Sequence, residues 1–216
     1  MTILVFSKTT GYRHDSIPAG VAALRELGAG LGVEVEATED SAVFDPGALT
    51  RYRMVVFLNT SGEILDDGGR AALASFVRGG GGFMGVHGAA ATEYAWPFYG
   101  ELVGAWFRDH PAVQPAVIRV VSADHPATSP LPAEWARVDE WYNFRSHPDA
   151  RVLLTLDEST YDGGGMGPAH PVAWCHERLG GRVFYTALGH TVESYADSLF
   201  RAHLGGGIAY VLDQHT

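Results

Sequence analysis

Two short runs of consecutive apolar residues, Ile3–Phe6 and Met54–Leu58, constrain the fold of this chain more than any other feature. Strands with two apolar faces are typical of parallel sheets that helices cover on both sides. Residues 17–31 follow the first run with apolar side chains at helical spacing. Asp66–Arg78 repeats that spacing before another strand-like segment at Phe83–His87. The alternation predicts an α/β domain built on a mainly parallel central sheet.

The last part of the chain shows strand patterns that are separated by turns rather than by helices. Pro171–Cys175 and Arg182–Ala187 have strand character, and the short Gly180–Gly181 turn between them predicts an antiparallel hairpin. A final apolar segment, Ala196–Leu212, is typical of a helix. The length of 216 residues suits one core, so we expect residues 1–216 to form a single domain.

Residues 93–150 interrupt the regular alternation of strands and helices. They begin with an aromatic, helix-like segment, Glu93–Trp106, in which Pro97 predicts a break. Strand-like pieces follow at Ala116–Val121 and Arg137–Tyr142. We interpret this stretch as an insertion that forms a lid over the sheet.

Composition excludes several classes of function. The formal net charge of −10 argues against binding to nucleic acid, which requires clustered basic side chains to replace counterions on phosphate. The apolar runs are too short for a membrane span, and no signal peptide is recognisable. The single cysteine, Cys175, gives no sign of an oxidising compartment, so we expect the protein in the cytoplasm. The composition also permits a homodimer.

Three histidines follow three predicted strands. His14 lies in the loop after the first strand, His87 ends the fourth, and His190 follows the last. In open α/β sheets ligands bind outside the carboxyl ends of the strands, so these side chains should converge at one edge. Tyr12 and Arg13, beside His14, are further candidates for a binding pocket, with the guanidinium available to an anion.

The segment around His87 has the features of a nucleophile elbow. A strand, a tight turn and flanking small residues are present in Gly85–Ala89, but histidine stands where a nucleophile would be. Imidazole at this position and at His190 leaves general acid/base catalysis or metal ligation as the possible chemistry. We interpret five other histidines as structural or surface residues: His110, His125, His147, His203 and His215.

Carboxylates, an amide and aromatic rings are concentrated in Asp139–Phe144. As a strand, this segment would place Glu140 and Tyr142 on one face and Trp141 on the other. Aromatic faces contact the C–H groups of sugars, and carboxylates accept hydrogen bonds from their hydroxyls. The alternative interpretation is an aromatic core strand without a binding role.

The chain resembles the ThuA-like (trehalose utilisation) family over nearly its whole length. The blocks that carry the resemblance are Gly11–Ile17, Val55–Gly62, Gly79–His87, Thr92–Tyr94, Tyr99–Ala105, Asp139–Phe144, His170–Glu177 and Tyr185–Thr191. It implies a flavodoxin-like three-layer fold related to class I glutamine amidotransferases, and a role in the use of trehalose or related disaccharides, from which keto-sugars arise. The missing nucleophilic cysteine excludes amidotransferase chemistry. By position, the resemblance places six residues in the pocket: Tyr12, His14, His87, Glu140, Tyr142 and His190. It places Trp106 at the border of that pocket.

Three functional hypotheses follow. In the first, an enzyme acts on a sugar or keto-sugar by proton transfer, with His87 and His190 as base and acid and Glu140 as orienter or second base. Tyr142 would shape the pocket together with Trp141 or Trp106. Enolisation beside a carbonyl would lead to isomerisation or elimination and needs no redox cofactor.

The second hypothesis is metal-assisted hydrolysis, in which His14, His87 and His190 join a carboxylate around a divalent ion such as zinc. The third is a carbohydrate-binding domain that lacks catalysis. In all three the partner is a small sugar-like molecule, and neither a nucleic acid nor a membrane is expected.

Overall fold

The computed structural model describes residues 1–213 and consists of eleven strands and five α-helices in that range. His215 lies outside the described residues. The helices are α1 (Ile17–Gly30), α2 (Pro46–Leu49), α3 (Asp67–Arg78), α4 (Pro97–Val103) and α5 (Ser198–Leu212). The strands are β1 (Thr2–Phe6), β2 (Glu34–Thr38), β3 (Tyr52–Leu58), β4 (Gly82–Val86), β5 (Phe107–Asp109), β6 (Gln114–Val120), β7 (Glu134–Asp139), β8 (Asn143–Phe144), β9 (Arg151–Asp157), β10 (His170–His176) and β11 (Val183–Thr186).

One large mixed sheet organises residues 1–213, with the strand order β2-β1-β3-β4-β11-β10-β9-β6-β7. The first five strands in this order form a parallel block. The remaining neighbours pair in antiparallel fashion, including β10 with β11. The α/β prediction with a mostly parallel central sheet is therefore confirmed at the level of the sheet.

Both faces of the parallel block are covered. Side chains of consecutive strand residues point to opposite faces, so Phe57 and Leu58 at the end of β3 identify two sides of the sheet. Leu58 packs close to Gly20 of α1, while the ring of Phe57 stacks on Tyr99 of α4 at a centroid distance of 5.8 Å. Both residues are fully buried. The helices thus form layers on either side of the sheet, which accounts for the apolar runs in the sequence.

Aspartates fix the starts of two helices. The Asp66 carboxylate accepts the backbone N–H of Gly69 at the start of α3, and the Asp197 carboxylate accepts that of Phe200 at the start of α5. Such caps satisfy amides that have no partner within the helix. Both helices therefore begin within two residues of the positions that their sequence patterns predict.

Residues 93–150 differ from the predicted lid. β6 and β7 join the edge of the central sheet beside β9, because their alternating side chains continue its pleated surface. Only β5 and β8 form a separate two-stranded sheet. Pro97 does not interrupt a helix but begins α4, where a missing N–H has no cost. Much of the stretch is therefore sheet rather than lid.

None of the helices in residues 1–213 is long and apolar enough to cross a membrane.

Candidate functional site

A cavity of about 470 Å³ opens at the carboxyl ends of the parallel strands. The loops after β1, β3 and β11 contribute to its wall, as expected for a ligand site in an open α/β sheet. Its lining residues are Gly11, Tyr12, His14, Ser61, Gly62, Ala91, Tyr94, Phe107, His110, Glu140, Tyr142 and His190. The volume lies within the range of small-molecule sites.

His87 lies directly behind this cavity in a backbone conformation that is unusual for a residue with a side chain. It follows β4 at φ 45°, in the left-handed region. A Cβ atom on the next residue, Gly88, would lie 3.0 Å from the carbonyl oxygen of Thr60, so only glycine allows this close approach. The sharp turn predicted at Gly85–Ala89 is present and fixes the direction of the His87 ring.

The hydrogen bonds of His87 define its tautomer. Nδ1 lies 2.6 Å from the carbonyl oxygen of Ala187, which can only accept, so Nδ1 carries the proton. In the neutral ring Nε2 then presents a lone pair. That atom is buried and has no hydrogen-bond partner within residues 1–213. An imidazole whose other nitrogen donates to a carbonyl is the usual arrangement of a metal-ligating histidine.

Glu140 faces three imidazole rings. Its Oε2 lies 3.3 Å from Nε2 of His87 and 3.3 Å from Nδ1 of His190, and its Oε1 lies 3.2 Å from Nδ1 of His110. The carboxylate is nearly buried, with 8% of the side chain exposed. A carboxylate and several nitrogen atoms thus meet in a small volume.

Four side chains form a cluster that could hold a metal ion. One ligand atom each from His14, His87, Glu140 and His190 lies within 4.8 Å of the other three. The 3.3 Å separations from Glu140 match the ligand-to-ligand distance of about 3.3 Å that tetrahedral zinc imposes at bond lengths of about 2.0 to 2.1 Å. His14 Nδ1 and His190 Nδ1 are also buried without hydrogen-bond partners in the described chain.

The charge states of His14 and Glu140 suit a cation, whereas His190 favours a bound proton that a cation would have to displace. Burial, together with the neighbouring imidazoles of His87 and His190, lowers the pKa of His14 from 6.5 to about 3, so this ring is neutral at pH 7. Burial alone would raise the pKa of Glu140, but His190 and His87 together lower it well below its ordinary value. The Glu140 carboxylate in turn raises the pKa of His190. Neutral imidazole and ionised carboxylate are the forms that bind metal ions.

Aromatic rings form the apolar wall of the cavity. The ring of Tyr142 lies 4.2 Å from that of His87 and 4.4 Å from that of Phe107, measured between centroids. Tyr94 adds a half-buried ring, and Tyr12 stands at the rim with 67% of its surface exposed. Such rings offer flat apolar contact while the cluster supplies polar groups, a combination typical of sites for polyols.

Three of the residues proposed from the sequence are not among those that line the cavity. Arg13 does not line the cavity but forms two hydrogen bonds with the exposed carboxylate of Glu39, at 3.0 and 2.7 Å. Trp106 and Trp141 also lie outside the lining. The indole N–H of Trp106 donates to the carbonyl of Thr92, and that of Trp141 donates to the carbonyl of Gln114. Each indole therefore has a structural partner of its own.

The strand alternation predicted for Asp139–Phe144 also fails. β7 ends at Asp139, and Glu140–Tyr142 forms an irregular connection to β8. Glu140 and Tyr142 nevertheless both reach the cavity, while Trp141 packs toward Tyr161 at a ring distance of 6.3 Å. The side chains of Glu140 and Tyr142 therefore reach the cavity from the connection that follows β7, and not from one face of a strand.

Among the lining residues that the sequence interpretation missed are three with large side chains, His110, Phe107 and Tyr94. His110, assigned there to the structural or surface histidines, lies in the β5 to β6 connection and contacts Glu140. Phe107 and Tyr94 complete the aromatic wall. No periodicity or motif identifies them, although Tyr94 belongs to a block that carries the family resemblance. The small sheet of β5 with β8 brings Phe107 and His110 to the site.

Solved structures share this fold over the whole chain. A ThuA-like protein from Bacteroides uniformis superimposes with a TM-score of 0.86 at 23% identity, covering 100% of this chain and 93% of that one. A second ThuA-like protein, from Parabacteroides merdae, superimposes with a TM-score of 0.82 at 18% identity, covering 100% of this chain and 92% of that one. A cytoplasmic protein from Salmonella typhimurium superimposes with a TM-score of 0.69 at 13% identity, covering 98% of this chain and 99% of that one. At these identities the similarity establishes the fold alone.

Sequence comparison identifies the family. No curated protein matches the chain. The family model named ThuA, described as trehalose utilisation, matches residues 2–211, which is nearly the whole length. This match confirms the resemblance inferred from the sequence blocks: the chain belongs to the ThuA family.

Proposed function

We propose that this protein is a metal-dependent enzyme that acts on a sugar or keto-sugar. The observation that carries the proposal is the convergence of His14, His87, His190 and Glu140, whose ligand atoms lie within 4.8 Å of one another. Three imidazoles and one carboxylate form a donor set that suits zinc and other divalent transition metals. The aromatic wall and the family's description as trehalose utilisation support a carbohydrate ligand.

Metal ligation changes the roles first assigned to the histidines. The Nε2 lone pair of His87 cannot both bind a metal ion and accept a proton, and the same holds for Nδ1 of His190. A divalent ion held by these residues would supply Lewis-acid polarisation of a carbonyl or hydroxyl oxygen that enters as an additional ligand. The chain itself would then hold the substrate against Tyr142 and Phe107. His110, which lines the cavity beside Glu140, is the imidazole that remains for proton transfer.

The second candidate is proton transfer without a metal. The observation that favours it is the pair of 3.3 Å contacts from Glu140 to His87 and His190, which would become ion pairs on protonation of either ring. In that case His87 and His190 keep the acid and base roles, with Glu140 as the group that orients them.

An activity screen separates these candidates. The untagged protein is incubated with keto-disaccharides before and after removal of metal by a chelator, and after addition of zinc. The proposal predicts turnover that chelation abolishes and zinc restores. If metal-free protein turns the substrate over at the same rate as before chelation, the result supports proton transfer by His87 and His190 instead. Saturable sugar binding without turnover in any metal state would identify a binding domain.

A further inference from the structure

One buried carboxylate connects two of the four cluster residues through their backbones. Oδ1 of Asp139 accepts the N–H of Glu140 at 3.0 Å and the N–H of His190 at 3.1 Å. Its Oδ2 accepts the N–H of Gly189 at 3.1 Å. Asp139 itself is fully buried and does not line the cavity. The same oxygen atom therefore sets the positions of two side chains that approach each other to 3.3 Å.

This connection joins distant parts of the chain. Asp139 ends β7, an edge strand of the central sheet, whereas Gly189 and His190 follow β11 in the parallel block. These strands are not neighbours, so their pairing does not fix the loops relative to each other. Two amide hydrogen bonds, from Gly189 and His190 to the Asp139 carboxylate, do so instead. These bonds link the loop after β11 to the end of β7.

Arg137 pairs with this carboxylate and holds it in place. Its Nη2 lies 3.0 Å from Oδ2 of Asp139 and 2.7 Å from Oγ of Ser194, and only 6% of its side chain is exposed. The guanidinium also lies over the rings of Trp135 and Phe200, at 4.7 and 5.0 Å from their centroids. A buried ion pair of this kind is costly to break, because the remaining charge is left without compensation.

We propose that Asp139 is the positioning residue of the metal centre: it fixes Glu140 and His190 at the spacing that one cation requires. The inference rests on the proposed function, since it assigns Asp139 a role toward the same metal ion. Groups that orient metal ligands in this way typically change metal affinity by about 10- to 100-fold when they are replaced.

The variant Asp139→Asn tests this role with little change in shape. An amide can offer its oxygen either to Glu140 and His190 or to Gly189 and Arg137. On the other side the amide NH₂ group faces N–H donors, from which it cannot accept a hydrogen bond. In either orientation of the amide, half of the hydrogen bonds to residue 139 are therefore lost.

Glu93 provides a matched control. It is equally buried, its Oε1 accepts the N–H groups of Ile64 and Leu65 at 2.8 Å, and its Oε2 accepts from Nε of Arg70 at 2.7 Å. It holds a loop in the same manner as Asp139, but none of these bonds goes to a cluster residue. Glu93→Gln therefore reproduces the chemical change at a site that does not position a ligand.

The experiment is a titration of the metal-free, untagged protein with cobalt(II), followed by its visible absorption, together with calorimetric titration by zinc. We expect Asp139→Asn to bind both ions about 10- to 100-fold more weakly and to give an altered cobalt spectrum. Glu93→Gln should keep the affinity and spectrum of the parent chain. Unchanged binding in Asp139→Asn, or an equal loss in Glu93→Gln, would overturn the inference.

A double variant separates positioning from general stability. Arg137→Met combined with Asp139→Asn removes both buried charges, so it avoids the unpaired guanidinium that could prevent Asp139→Asn from folding. Weak metal binding in the folded double variant supports positioning, and affinity equal to that of the parent chain overturns it. If the parent chain itself binds neither ion, the proposed function fails and this inference fails with it.

Discussion

Nε2 of His87 lies 3.3 Å from Oε2 of Glu140, while Nδ1 of the same ring lies 2.6 Å from the carbonyl oxygen of Ala187. The carbonyl requires the proton on Nδ1, so the neutral ring directs a lone pair toward a carboxylate. Two electron-rich atoms at this distance require a proton or a metal cation between them. A metal ion bound by both atoms meets this requirement and also engages His14 and His190.

Replacement of His87 should remove the metal ion. Asparagine is the suitable substitute because it tolerates the left-handed backbone of this position better than alanine does. We expect the metal content measured by elemental analysis to fall from about one ion per chain in the parent protein to background in His87→Asn. His147→Asn, at an exposed histidine outside the cavity, is the control and should keep its metal. Equal metal content in the two variants would remove His87 from the ligand set.

His110 should behave differently from the clustered histidines. It contacts Glu140 and lines the cavity, but it is not one of the four residues whose ligand atoms converge. We expect His110→Asn to bind zinc with the affinity of the parent chain and to lower kcat by about 100-fold or more, the usual contribution of a general acid or base. Calorimetry and steady-state kinetics measure the two quantities. Loss of zinc binding in this variant would make His110 a ligand.

Stability should decrease as the pH falls below 6.5, because buried histidines stay neutral in the folded chain. Burial lowers the pKa of His203 from 6.5 to about 4. Between these values the unfolded chain binds a proton that the folded chain does not, so the free energy of unfolding decreases as the pH falls through this interval. At about 1.4 kcal/mol for each pH unit, the titration of His203 alone lowers the free energy of unfolding by about 3 kcal/mol across this interval.

Nuclear magnetic resonance of the imidazole groups checks the origin of this effect. His203 places Nδ1 2.7 Å from the carbonyl oxygen of Ala127 and Nε2 3.1 Å from Oγ1 of Thr186. Because the ring is buried, its signals should titrate with a midpoint near pH 4 in the folded protein. A midpoint near 6.5 would show that burial of this ring does not control its protonation.

A side chain at Gly88 should destabilise the turn at His87. A Cβ atom there would lie 3.0 Å from the Thr60 carbonyl oxygen and 3.1 Å from the Asn59 backbone, neither of which can rotate away. We expect Gly88→Ala to lower the free energy of unfolding by about 1 to 3 kcal/mol, as overpacking does elsewhere. Urea denaturation measures the change. Gly30→Ala, where a Cβ would have no neighbour within 4 Å, is the control and should be neutral or stabilising.

The sequence predicts the parts of the site that depend on parallel strands. His14, His87 and His190 each follow a strand of the parallel block, and the carboxyl ends of such strands meet at one edge. Their convergence therefore follows from local patterns. The tight turn at His87 was predictable for the same reason, since glycine and alanine surround it.

Other parts depend on contacts that no local pattern encodes. β7 ends at Asp139, so Glu140 and Trp141 are not part of a strand. Their orientation therefore does not follow the strand alternation that the sequence predicts. His110 reaches the site only because β5 pairs with β8, about 36 residues away along the chain. The placement of β6 and β7 at the edge of the large sheet likewise follows from long-range pairing. Arg13 has a near neighbour in space, Glu39, that the sequence does not reveal.

Elemental analysis of the purified, untagged protein tests the central claim most directly, because a polyhistidine tag would itself bind metal. We expect about one zinc or other divalent transition metal ion per chain, either retained through purification or taken up from one equivalent of added zinc. Protein that contains no metal above background and shows no binding heat with zinc would contradict the claim.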